Sequence, residues 1–171
     1  MRIASFFARP ASAGRIPVLL LLILLGCEFA IASPALRLVL EDAAGATLYS
    51  TPVENGTEFA IRYTHSVALT PVTDYFFIRD NSIWLDRTEY QDFGAGLPHT
   101  PEHGQKMRAS HGMLTLSGYN RELGSFQLRV GRIANHILLI KSGNKWHEVP
   151  LDSLTAPGSA ITFAVRGATQ R

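Results

Sequence analysis

The chain reads as an all-β protein, an antiparallel sandwich or small barrel of about ten short strands. Three observations predict it. Apolar and polar residues alternate with period two in run after run, as in half-buried strands. Turn signals recur between the runs. No segment beyond the amino-terminal leader carries the 3.6-residue stripe of an amphipathic helix. A composition of 46% apolar and 18% charged residues suits a chain with a real core.

The leader comes first. Arg2, Arg9 and Arg15 precede an unbroken apolar run from Ile16 to Leu25. A bilayer span takes about 20 residues, so this run is short for one. Behind a basic leader it reads as a secretory signal over residues 1–32. Ala30-Ile31-Ala32 fits small-x-small cleavage and leaves a mature start at Ser33. Leu24-Leu25-Gly26-Cys27 resembles a bacterial lipobox, which would place a lipid on Cys27. The first exit is preferred, because Leu25 is bulky for its place before the glycine. Cleavage after Ala32 removes three arginines and Glu28, so residues 33–171 carry 13 basic and 13 acidic side chains. A neutral domain offers no basic surface for nucleic acid. The same cut removes the single cysteine, leaving no disulfide and no thiol chemistry. Residues 33–171 are then one domain, held by its core alone.

Along that domain, Leu36, Leu38 and Leu40 alternate with Arg37, Val39 and Glu41, and Thr47 to Thr51 forms a second run. Asn55-Gly56 is a tight-turn signal, because both residues tolerate positive φ. In the next run Phe59, Ile61, Tyr63 and His65 share one side, with Ala60, Arg62 and Thr64 on the other. This strand is expected to deliver Tyr63 and then His65 to the core face. Ser66 to Thr70-Pro71 is a short connection, and the following strand sets Val72, Asp74, Phe76 and Ile78 on one parity. Ser82 to Phe93 resumes an extended pattern. Residues 94 to 111 show no period and read as one long loop, a feature that compact domains keep for function or mobility. Strands are expected again at Met113–Ser117, Ser125–Val130 and His136–Lys141. Ser142-Gly143-Asn144 turns the chain into Trp146 and Val149. After Pro157-Gly158, Ala160 to Val165 closes the fold.

Three kinds of chemistry suggest themselves. Ser66, His65 and Asp74 have the residue types of a nucleophilic triad. Neighbours on a strand point to opposite faces, however, and the G-x-S-x-G elbow is missing. His99, Glu102, His103 and His111 crowd the long loop, but Pro98, Pro101 and Gly104 deny them a common helical face. A polar pocket is the third. Tyr63 and His65 share the core parity, Arg129 lies in a strand with Phe126, Leu128 and Val130, and Asn135-His136 opens the apolar run Ile137 to Ile140. Arginine and histidine at strand ends suit a carboxylate. The plainer alternative is that they tie strand ends to loops.

The ordered motifs are similar to those of a small bacterial family. They are Tyr63-Thr64-His65-Ser66-Val67, Thr70-Pro71-Val72-x-Asp74, Tyr90-x-x-Phe93-Gly94-x-Gly96-Leu97-Pro98, Asn120-Arg121, Leu128-Arg129-Val130-Gly131 and Ala134-Asn135-His136. Together they resemble the domain-of-unknown-function family DUF1850 from about Leu36 onward. The resemblance implies an extracytoplasmic all-β accessory protein, with no established activity and no cofactor. Members are often encoded beside permeases of the TAXI class of TRAP transporters, which take up carboxylates. Its motifs fall on Tyr63, His65, Ser66, Thr70, Asp74, Asn120, Arg121, Arg129, Asn135 and His136, and all of these but Asn120 are expected to bind ligand. The expected function is an accessory or binding module for an anionic solute or a transporter subunit. The alternative is a periplasmic hydrolase or metal-binding enzyme using His65 and Asp74. Arg121, Arg129, His65 and His136 are expected to converge on one pocket beneath the 94–111 loop, where binding would strengthen as histidine protonates.

Overall fold

The computed structural model describes residues 36–91, 96–98 and 100–167. The leader, both of its cleavage signals, Cys27, Phe93-Gly94 and His99 lie outside the described residues. Strands β1 (Leu36–Glu41), β2 (Thr47–Val53), β3 (Glu58–Thr64), β4 (Pro71–Arg79) and β5 (Ser82–Tyr90) come first. Then follow β6 (Lys106–Ser110), β7 (Met113–Gly124), β8 (Phe126–Arg129), β9 (Ile137–Ser142), β10 (Lys145–Pro150) and β11 (Ala160–Gly167). They form two antiparallel sheets, ordered β2-β1-β11-β8 and β10-β9-β3-β4-β5-β7-β6. The protein is an all-β sandwich.

Alternation puts Leu36, Leu38 and Leu40 of β1, Phe59 and Ile61 of β3, Phe76 and Ile78 of β4 and Ile161, Phe163 and Val165 of β11 into one buried cluster. Its spine is a stack of four phenylalanines. Phe59 lies 5.0 Å from Phe76, Phe76 lies 5.1 Å from Phe126, and Phe126 lies 4.9 Å from Phe163. The stack runs from one sheet into the other, so it fixes their spacing as well as burying area.

Three expectations change. Residues 94–111 are not one long loop, since β6 pairs there with β7 from Lys106↔Ser117 to Ser110↔Met113. Lys106, Arg108 and Ser110 face solvent on this edge strand and only Met107 is partly buried, so no clear period shows. Charged edge residues also discourage further strand pairing. Second, β7 runs on to Gly124, far past Ser117. The pattern is broken at a bulge, where the register jumps between Arg87↔Ser117 and Leu85↔Arg121. Gly118 sits in that bulge at φ 82°, and a Cβ there would lie 2.8 Å from the Gly104 carbonyl oxygen. Third, β3 ends at Thr64. His65 therefore lies in the turn, partly buried, and does not continue the core-facing row.

Candidate functional site

The seven-stranded sheet carries a second, smaller core. Val72, Tyr90 and Leu116 are its buried centre, and Leu97, Met107, Leu114, Tyr119 and Tyr63 pack against it. The Tyr90 phenol donates to the Pro98 carbonyl and so ties the covering segment to the sheet. Tyr63 touches both cores.

Polar groups fill the boundary. Asp74 and Thr88 face each other across β4 and β5, and the Thr88 hydroxyl donates to Asp74 Oδ1 at 2.7 Å. Burial pushes the Asp74 carboxyl above the usual carboxylate range, with the Thr88 bond opposing the shift. The Tyr63 phenol is pushed up to about 12, by burial first and then by Asp74 and Tyr119. Tyr119 is raised too, by burial and then by Asp74 and Glu102, while a hydrogen bond with Thr88 pulls the other way. Both phenols therefore remain protonated donors at neutral pH.

Two hollows adjoin this seam. A cavity of about 320 Å³ is lined by Ile61, Phe76, Leu85, Leu123, Phe126 and Leu128, with Asp74 and Gln127 as its polar groups. A second, of about 420 Å³, includes Tyr119, Asn120, Arg121, Gln105 and Glu102. Directly paired residues of an antiparallel sheet share a face. Leu85 pairs with Arg121, so the guanidinium stem rises from the same face as a wall of the apolar cavity. Arg121 is exposed and forms no ion pair among the described residues.

The structure divides the residues expected to line one site. Tyr63, Asp74 and Arg121 belong to the seam and its hollows. His136 joins Tyr63, their rings 5.5 Å apart. Its Nδ1 accepts the Gly131 N–H at 3.2 Å, and burial lowers its pKa. It therefore resists the protonation that would have strengthened anion binding. Gly131 is held close here, for a Cβ would lie 2.9 Å from that of Ala134. His65 caps its turn, its Nδ1 accepting the N–H groups of Val67 at 3.3 Å and Ala68 at 3.1 Å. Ser66 is exposed, and Asn135 is exposed with φ 47°. The Thr70 hydroxyl is buried without a hydrogen-bond partner among the described residues. Arg129 donates to the Gly158 carbonyl at 2.6 Å, on the four-stranded sheet, and takes no part in the seam. The expected convergence of Arg121, Arg129, His65 and His136 is thus not what their contacts describe. His65 and Asp74 each bond elsewhere, and among the described residues no three His, Cys, Asp or Glu side chains are grouped to hold a metal ion.

Sequence reasoning missed Thr88 and Tyr119. The bulge in β5 between Leu85 and Arg87 shifts Thr88 onto the inner face, a change of parity that simple alternation from Ile83 does not show. Tyr119 stands beside the Asn120-Arg121 motif, which is the one signal that marked it. No curated protein and no solved structure matches the chain. Residues 59–145 match the family described as Domain of unknown function (DUF1850). That span runs from the first residue of the phenylalanine spine, through the whole seam, to the start of β10, and the chain belongs to this family.

Proposed function

We propose that the protein is an extracytoplasmic binding module that takes a small organic acid with an apolar body, as an accessory to a TRAP-type carboxylate transporter. One observation carries this reading: an apolar cavity between the sheets has Leu85 in its wall, and Leu85 pairs with Arg121, which forms no ion pair among the described residues. The apolar body would lie against Phe76, Leu85, Leu123 and Leu128, and the carboxylate would meet Arg121. Tyr119 and Asn120 line the second hollow together with Arg121 and supply further donors. The family's resemblance-based link to carboxylate permeases supports an anionic solute, and it supports export as well.

Calorimetry with monocarboxylates of increasing apolar size tests the proposal. Affinity should grow with apolar area until the cavity is filled, and should weaken with salt because Arg121 is exposed. Arg121→Gln should weaken binding about 10- to 100-fold, the range of a charge-assisted bond. If no acid binds, or if Arg129→Gln matters as much as Arg121→Gln, the assignment fails.

A further inference from the structure

Three of the four large apolar side chains most exposed among the described residues lie on two neighbouring turns. Val67 and Leu69 are each 69% exposed and Ile133 is 63% exposed. The Thr64 N–H donates to the Ala134 carbonyl at 2.7 Å, which joins the two turns. Both are built firmly. His65 caps the first through its ring and through bonds with Thr70 and Leu69, and His136 closes the second through the Gly131 N–H. Leu69 has φ 54°, a conformation that glycine or asparagine takes far more readily. Leu69 thus keeps a left-handed backbone while its side chain stands in water.

The charge pattern narrows the partner. Residues 65–70 and 131–136 contain no Asp or Glu, and Arg132 is their one fixed charge. Arg132 is exposed and forms no ion pair among the described residues. A stable protein interface buries roughly 800 Å² on each partner, more than three side chains on two turns present. Protruding apolar tips beside a cation suit the boundary of an anionic bilayer, where the apolar groups enter the acyl region and the guanidinium meets headgroups. We infer that this end of the sandwich docks on an anionic lipid surface through Val67, Leu69 and Ile133. This contact is separate from any attachment at Cys27.

The test places a reporter at the tip of the full chain. The emission of a Leu69→Trp variant, taken as a difference from the parent, should shift to the blue with phosphatidylglycerol vesicles. Brominated acyl chains should quench it, and phosphatidylcholine should give a weaker response. Adding Ile133→Ser should cut vesicle affinity about tenfold, in line with burial of one large apolar side chain. Leu69→Asn should do the same while keeping the parent's melting temperature, since asparagine accepts the backbone. Three results would overturn the inference. One is a Trp emission that stays that of a water-exposed side chain while the protein sediments with vesicles, which assigns binding to the leader. Another is a shift seen only with native membrane vesicles and lost after their protease treatment, which assigns the tip to a protein. The third is a Leu69→Asn variant with a lowered melting temperature and unchanged vesicle affinity, which makes Leu69 structural.

Discussion

The two cores are built on the same sheet, by the same alternation, yet they differ in what covers them. Over β9, β3 and β4 lies a second sheet, and four stacked phenylalanines join the two. Over the β5–β7–β6 side the apolar cover includes Leu97, and the Tyr90 phenol fastens Pro98. A sheet-on-sheet contact excludes water from both sides and fixes side chains in place. A covering segment closes only part of the surface, and polar groups collect where the two kinds of cover meet. Tyr63, Asp74, Thr88 and Tyr119 occupy that boundary. The site thus arises from a difference in cover more than from any special strand.

The difference is breakable. Phe163→Ala removes one end of the spine inside a closed core and should cost about 3–5 kcal/mol, read from a urea midpoint. Leu116→Ala is equally buried but lies in the smaller core, where the cover can settle into the space. It should cost about 2–3 kcal/mol, at the low end for such a truncation. Equal costs would show that the second core is as rigid as the first.

His65→Ala tests the turn and not the core. It removes the acceptor of two turn amides, one exposed and one partly buried, and should cost about 1 kcal/mol. Amide exchange should speed up at Val67 and Ala68, while Leu138 and Ile140 remain protected. Loss of protection throughout would place His65 in the core after all.

The smallest effects lie in the pH dependence, where the seam should show two opposite slopes. Asp74 binds its proton more tightly folded than unfolded, so its contribution is full below the ordinary value of 3.8 and is lost as pH rises through the raised folded value. His136 does the reverse. Its contribution is full above the ordinary 6.5 and is lost as pH falls through the lowered folded value. Asp74→Asn should therefore gain on the parent as pH rises from 4 towards neutrality, as seen in thermal midpoints at a series of pH values. His136→Gln should flatten the acid limb below 6.5. Parallel curves for parent and Asp74→Asn would mean that the carboxyl is no harder to ionise folded than unfolded.

From residues alone came the all-β class, the faces of β1, β3 and β4, the existence of β11, and the turns at Asn55-Gly56 and Ser142-Gly143-Asn144, because alternation and left-handed turn residues are local signals. The family motifs also marked Tyr63, Asp74, Arg121 and His136, which the structure places in or beside the seam. What residues 65–70 and 129–136 do was not legible, because a histidine that caps a turn and one that binds a ligand look alike in sequence. Only the tertiary structure decided that Arg129 is tied to Gly158, that Thr88 meets Asp74, and that β6 pairs at the edge. Each depends on a long-range neighbour or on a bulge that resets the parity of a strand, and neither leaves a mark in the order of residues nearby.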